Sequence, residues 1–135
     1  MSPEPTTELW HEERLLIDGA LRSAEHDATY PVENPATGGQ LGVAADATPA
    51  DVEAALAAAR RAFDESGWAG DVELRVRCLR QLHQALVEHA DQLTELTIAE
   101  VGAPRSACAT VQLTAPTAFL PYYADLAEGY EWTTP

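Results

Sequence analysis

The sequence predicts a mostly α-helical chain with short β-strands at its N-terminal side: a hairpin, a second strand pair, then three helical segments. Two observations carry that expectation. Between residues 29 and 63 the apolar residues switch from a period of two to a helical period, with turn and capping residues where the change occurs. From Val72 to Ile98 they then recur mainly at helical spacing, and a Gly-Ala-Pro stop follows.

Residues 1 to 13 form an acidic, Pro-bearing segment, expected to be a flexible tail. Residues 14 to 46 hold the short strands. Arg14 to Arg22 reads as a hairpin turning at Asp18-Gly19, a dipeptide that tolerates the positive φ of a tight turn. Tyr30 and Val32, then Leu41 and Val43, alternate with polar neighbours as half-buried strands do. Asn34-Pro35 fixes the backbone between them, and Gly38 and Gly39 allow positive φ.

Residues 47 to 135 are expected to be a helical layer. Thr48 is the predicted N-cap, Pro49 the first helical residue and Asp51 the acid of a capping box. Val52, Leu56, Ala59 and Phe63 form one stripe, predicted to be buried, and Gly67 closes the helix. A second helix starts at a cap on Asp71 and turns Val72, Val76, Leu79, Leu82 and Leu86 inward. A break near His89-Ala90-Asp91 separates it from a continuation that Gly102 and Pro104 stop. The third segment starts near Ser106. Pro116 and Pro121 leave two readings for it, one kinked helix or two shorter helices meeting at Leu120.

Charge and composition exclude several functions. Eight basic residues against 22 acidic ones, a net charge of −14, leave no cationic surface for nucleic acid or an anionic membrane. No apolar run approaches the ~20 residues of a membrane span, and the acidic start lacks an apolar leader, so a cytoplasmic location is expected. Leu, Ile, Val and Phe number 27, whereas alanine alone numbers 25. Core material is therefore thin, and the helices are expected to bury their stripes partly against something outside this chain.

No catalytic, cofactor-binding or metal-binding residue is assigned. Cys78 and Cys108 are too few for a metal motif and read as small apolar fillers. His83 and His89, six apart, fall on different faces of a helix, and His11-Glu12 lacks a second histidine at position 15. Glu88, Asp91, Glu95 and Glu100 read as a solvated acidic face. Glycine-rich phosphate loops and the Gly-x-Ser-x-Gly elbow do not occur.

The stretch Asn-Pro-Ala-Thr-Gly at 34–38, a short strand, and Asp51 to Phe63 resemble the N-terminal region of NAD(P)-dependent aldehyde dehydrogenases. The likeness extends back to LLIDGALR at Leu15–Arg22. It runs forward through the helix around Leu79, EVGAP at Glu100–Pro104 and YYADLAE from Tyr122, so it covers roughly residues 14 to 132. Two departures stand out, Pro121 within a segment that is usually one long helix and Ala103 where a lysine is common.

The resemblance implies an α/β parent fold in which this piece is the helical layer of the cofactor-binding domain, packed on the nucleotide-binding sheet. It implies an enzyme that oxidises an aldehyde to a carboxylic acid with NAD or NADP and forms a homo-oligomer when complete. A cysteine nucleophile, a glutamate base and an oxyanion-holding asparagine do this chemistry in the family, all downstream of the region matched here. The chain is therefore expected to bind no cofactor alone and to be inactive by itself, its partner being the remainder of the same or a related subunit. The alternative is a stand-alone acidic helical module that binds another protein, possibly a full-length dehydrogenase subunit.

Overall fold

The computed structural model describes residues 12–132, so most of the 1–13 segment, with His11, lies outside the described residues. Strands β1 (Leu15–Ile17) and β2 (Ala20–Arg22) pair antiparallel, Leu16 opposite Leu21. Asp18 (φ 57°) and Gly19 (φ 74°) both take the left-handed conformation that a two-residue hairpin turn requires. A 3-10 turn at Glu25–Asp27 leads into β3 (Thr29–Glu33), which pairs antiparallel with β4 (Gln40–Ala45).

The Asn-Pro turn between β3 and β4 is closed by its own groups. The Asn34 side chain accepts from the Ala36 N–H at 2.9 Å, and the Asn34 carbonyl accepts from the Gly38 N–H at 2.8 Å. Gly38 has φ 71°, whereas Gly39 does not use positive φ. Only one of the two glycines is conformationally required.

Helix α1 (Pro49–Glu65) begins with the full reciprocal box: Thr48 Oγ1 accepts from the Asp51 N–H, and Asp51 accepts from the Thr48 N–H at 3.1 Å. It ends at Ser66, with Gly67 beyond at φ 65°. Asp71 caps α2 (Val72–Glu88) by accepting from the Leu74 N–H at 2.8 Å. The chain breaks at His89 before α3 (Ala90–Val101), which Gly102 ends in a left-handed C-cap.

Gly102 is also where two distant turns meet. A Cβ built there would lie 3.0 Å from Pro35 Cγ, so the end of α3 rests on the Asn-Pro turn.

The third segment differs from both sequence readings. It divides into α4 (Arg105–Ala107), a π-helical turn at Cys108–Gln112, and α5 (Thr114–Gly129), which runs through Pro121. The break falls at Leu113, not Leu120. Pro116 causes none, because as the third residue of α5 it lacks only an N–H that the first turn leaves unused.

Helix α5 lies along α2, with Val76 and Ala124 buried. Arg80 of α2 crosses to Asp125 (2.9 Å) and Glu128 (2.8 Å). Arg75 donates to the carbonyls of Trp68 and Ala69 and sits 4.5 Å from the Trp132 ring centroid, tying the α1–α2 loop to the end of α5.

Among the described residues, four of the seven buried hydrophobic ones are alanines: Ala24, Ala58, Ala103 and Ala124. They let backbones approach closely but bury little area. Larger residues face outward, which corrects two expectations. Leu82 of α2 is 49% exposed, and on α1 Val52, Leu56 and Phe63 are 49, 65 and 69% exposed. The face α1 buries holds Asp51 and Ala58, about 120° away around the helix.

Candidate functional site

A groove beside α2 and the π-helical turn brings a histidine and a cysteine to one place. It is about 460 Å³ and is lined by His83, Leu86, Val87, Thr94, Cys108 and Thr117 among others. Its character is apolar. Cys108 is 1% exposed, so its sulfur packs as a hydrophobe and does not present itself to a substrate. Cys78 lies half-buried on α2, and neither cysteine is in a disulfide. His83 Nδ1 lies 3.1 Å from the Thr117 carbonyl, and His89 Nδ1 lies 2.9 Å from the Gln92 side chain. Both histidines are engaged structurally.

The acidic side of α2 and α3 is partly neutralised. Glu95 takes a 2.6 Å ion pair from Arg105, and Glu88 accepts from Gln84 at 2.9 Å. Among the described residues, no three His, Cys, Asp or Glu side chains converge as metal ligands would.

The starts of α1 and α2 are each taken up by a carboxylate of the chain itself. The pyrophosphate of a dinucleotide needs an N-terminus with free N–H groups and glycine-level clearance. At α1 Asp51 already occupies that position, and at α2 Asp71 does. A second anion would meet a fixed carboxylate at either end. The strand that leads into α1 belongs to a two-stranded antiparallel ribbon, and α2 follows α1 through a loop, so neither start lies at the edge of a parallel sheet.

Asp51 does more than its place in a capping box suggests. It is 2% exposed and accepts from the Glu25 N–H (3.0 Å), the Thr48 N–H (3.1 Å) and Arg22 (3.3 Å). The Glu25 and Thr48 bonds, with the Thr48 hydroxyl and the nearby Arg22 charge, hold its carboxyl below the usual range against the opposing effect of burial. The cap was legible in sequence. The tie to Arg22 and Glu25 spans 29 and 26 residues and left no local signal.

The remaining candidate is surface. Phe119, Tyr122, Tyr123 and Leu126 on α5 are 57, 60, 53 and 46% exposed, matching the outward stripe of α1. A second groove, about 390 Å³, opens between Phe63 and Trp68. So many large apolar side chains at helical spacing form faces suited to packing.

Comparison with known proteins accounts for this organisation. Residues 21–134 match the aldehyde dehydrogenase family model. Aminoacetaldehyde dehydrogenase of Pseudomonas aeruginosa is 33% identical over 125 residues, which is 91% of this chain and 25% of that protein. Among solved structures, gamma-glutamyl-gamma-aminobutyraldehyde dehydrogenase of Burkholderia cenocepacia superposes with a TM-score of 0.83 at 35% identity, over 90% of this chain and 25% of that one. An aldehyde dehydrogenase of Mycobacterium tuberculosis complexed with NAD+ gives a TM-score of 0.82 at 32% identity, over 90% and 26%. The chain thus spans about a quarter of the length of these relatives. Its match over residues 21–134 and the order of its strands and helices establish that it belongs to the aldehyde dehydrogenase family, to which it corresponds in the N-terminal region.

Proposed function

We propose that this chain is the N-terminal part of an aldehyde dehydrogenase that oxidises an aldehyde to a carboxylic acid with NAD or NADP. It supplies the helical layer that packs on the nucleotide-binding sheet, and it is inactive by itself. The observation that carries this reading is the family match over residues 21–134, in relatives about four times as long. The outward apolar stripes of α1 and α5 support it, since each is a face without a core of its own.

Aldehyde oxidation by this route needs an accessible nucleophile, a hydride acceptor held against it and a base for water. The burial of Cys108, the half-burial of Cys78 and the carboxylates at the starts of α1 and α2 support the reading that these places lie elsewhere in the subunit. In this reading the nucleophile and the cofactor sheet belong to the remainder of the subunit, which assembles as a homo-oligomer.

The test is direct. Purified residues 1–135 show no aldehyde-dependent reduction of NAD or NADP above a blank. Turnover that disappears with Cys108→Ala and survives Cys78→Ala would overturn the assignment. The same exposed faces also suit a free-standing module docking on a full-length subunit. Saturable 1:1 binding to an intact dehydrogenase would favour that second reading.

A further inference from the structure

The hairpin lies along α1 and is tied to it at both ends. Near the start of α1, Arg22 reaches Asp51 at 3.3 Å; near its end, Arg61 reaches Asp18 in the hairpin turn at 2.7 Å. Between them only Ile17 is buried among the large apolar residues of the hairpin, while Leu16 and Leu21 are exposed. Little apolar burial holds this layer in place, so its polar ties carry an unusual share of the attachment.

Those ties converge on one carboxylate. Asp51 faces Arg22 of β2 and the backbone of Glu25 in the 3-10 turn. The Glu25 side chain lies 2.9 Å from the Thr48 hydroxyl, and that hydroxyl lies 3.1 Å from Asp51, so two carboxylates compete for one hydroxyl proton. His26 stands beside Glu25, its Nε2 4.0 Å from the Glu25 carboxylate. The turn itself is strained: His26 (φ 64°) and Asp27 (φ 51°) are consecutive non-glycine residues in the left-handed region. Losing the Asp51 ties removes the main polar constraint on a segment whose backbone favours relaxation.

We propose that residues 14–27 form a strap latched on α1 by the Asp51 carboxylate and released when that carboxylate loses its charge, while α2, α3 and α5 stay folded. One proton on Asp51 cancels the attraction to Arg22; on Oδ1 the new O–H faces the Arg22 donor, and on Oδ2 it faces the Glu25 and Thr48 N–H groups, so either oxygen sets a donor against a donor. The folded carboxyl is held below its ordinary value, so the latch is intact above the usual carboxylate range and is lost as pH falls through the lower, folded value. Release uncovers Ile17, Ala24 and the Ala58 face of α1 together.

Hydrogen exchange on the 135-residue chain tests this. In Asp51→Asn at neutral pH, protection of the strap amides and of the first turn of α1 falls together by about 10- to 100-fold, the range a charge-assisted hydrogen bond carries. Protection in α2 and α5 stays within about twofold, as a local opening requires. In the unaltered chain, acidification releases the same amides with a midpoint below the ordinary carboxylate value, while the far-ultraviolet helical signal persists. Unchanged strap protection in Asp51→Asn would overturn the proposal. So would loss of strap and helices together, in the variant or on acidification.

Discussion

His83 Nδ1 on α2 lies 3.1 Å from the carbonyl oxygen of Thr117 on α5, and that carbonyl is the one that Pro121 leaves without an N–H. A carbonyl only accepts, so the proton of this bond sits on Nδ1. A side chain from the neighbouring helix replaces the lost backbone donor. This is why α5 passes through Pro121 without ending.

His83→Ala therefore leaves a part-buried carbonyl unsatisfied and costs about 1 to 3 kcal/mol. Pro121→Ala restores an N–H to Thr117, so the His83 penalty shrinks in that background. A double-mutant cycle by denaturant unfolding reads the coupling as at least about 0.5 kcal/mol. Additive penalties would show that His83 serves only as packing.

Pro121 also marks where sequence reading stops. The rule that proline breaks a helix concerns one strand of hydrogen bonds, and its exception here comes from a histidine 38 residues earlier. Local features were legible: the Asp18-Gly19 turn, the Thr48–Asp51 box, the Asp71 cap and the Gly102 stop each depend on residues within a few positions. Val52, Leu56, Ala59 and Phe63 share one face, as their spacing requires, but that face is exposed here. Whether this chain covers that face depends on which partners exist, and periodicity carries no such information. The Asp51 ties and the π-helical turn at Cys108–Gln112 are likewise products of tertiary packing.

Gly102 and Gly38 separate two costs that glycines share. Both adopt positive φ, but a Cβ on Gly38 meets nothing within 4 Å, whereas on Gly102 it meets Pro35 Cγ at 3.0 Å. Gly38→Ala costs about 1 kcal/mol, the left-handed penalty alone. Gly102→Ala costs more, about 2 to 4 kcal/mol, because overpacking against the Asn-Pro turn adds about 1 to 3. Thermal or denaturant unfolding of the two variants decides it. Equal penalties would mean that Pro35 yields without cost.

Thr48→Ala tests the cap of α1. It removes the acceptor for the Asp51 N–H and costs about 1 kcal/mol, the usual loss of a threonine N-cap. Thr48→Ser restores the oxygen and recovers most of that loss, measured as a shift in denaturant midpoint. The hydroxyl also serves Glu25, so the alanine variant loosens the 3-10 turn as well. A serine variant as unstable as alanine would place the effect in the methyl group and not in the hydrogen bonds.

Phe63 measures how far α1 depends on residues outside this chain. Here it is 69% exposed, and its ring centroid lies 5.1 Å from the Arg60 guanidinium, which also pairs with Asp64. In the isolated chain Phe63→Ala costs less than about 1 kcal/mol, because little packing and one exposed cation–π contact are removed. In the folded parent subunit, where the stripe is covered, the same substitution costs roughly 3 to 5 kcal/mol. Asp64→Ala serves as the control at about 0.5 kcal/mol or less in both, since it loses only an exposed i,i+4 ion pair. Denaturant unfolding of both variants in both proteins supplies the four numbers. Equal Phe63 penalties in the chain and in the subunit would mean that nothing packs on this face of α1, and the helical-layer reading would fail there.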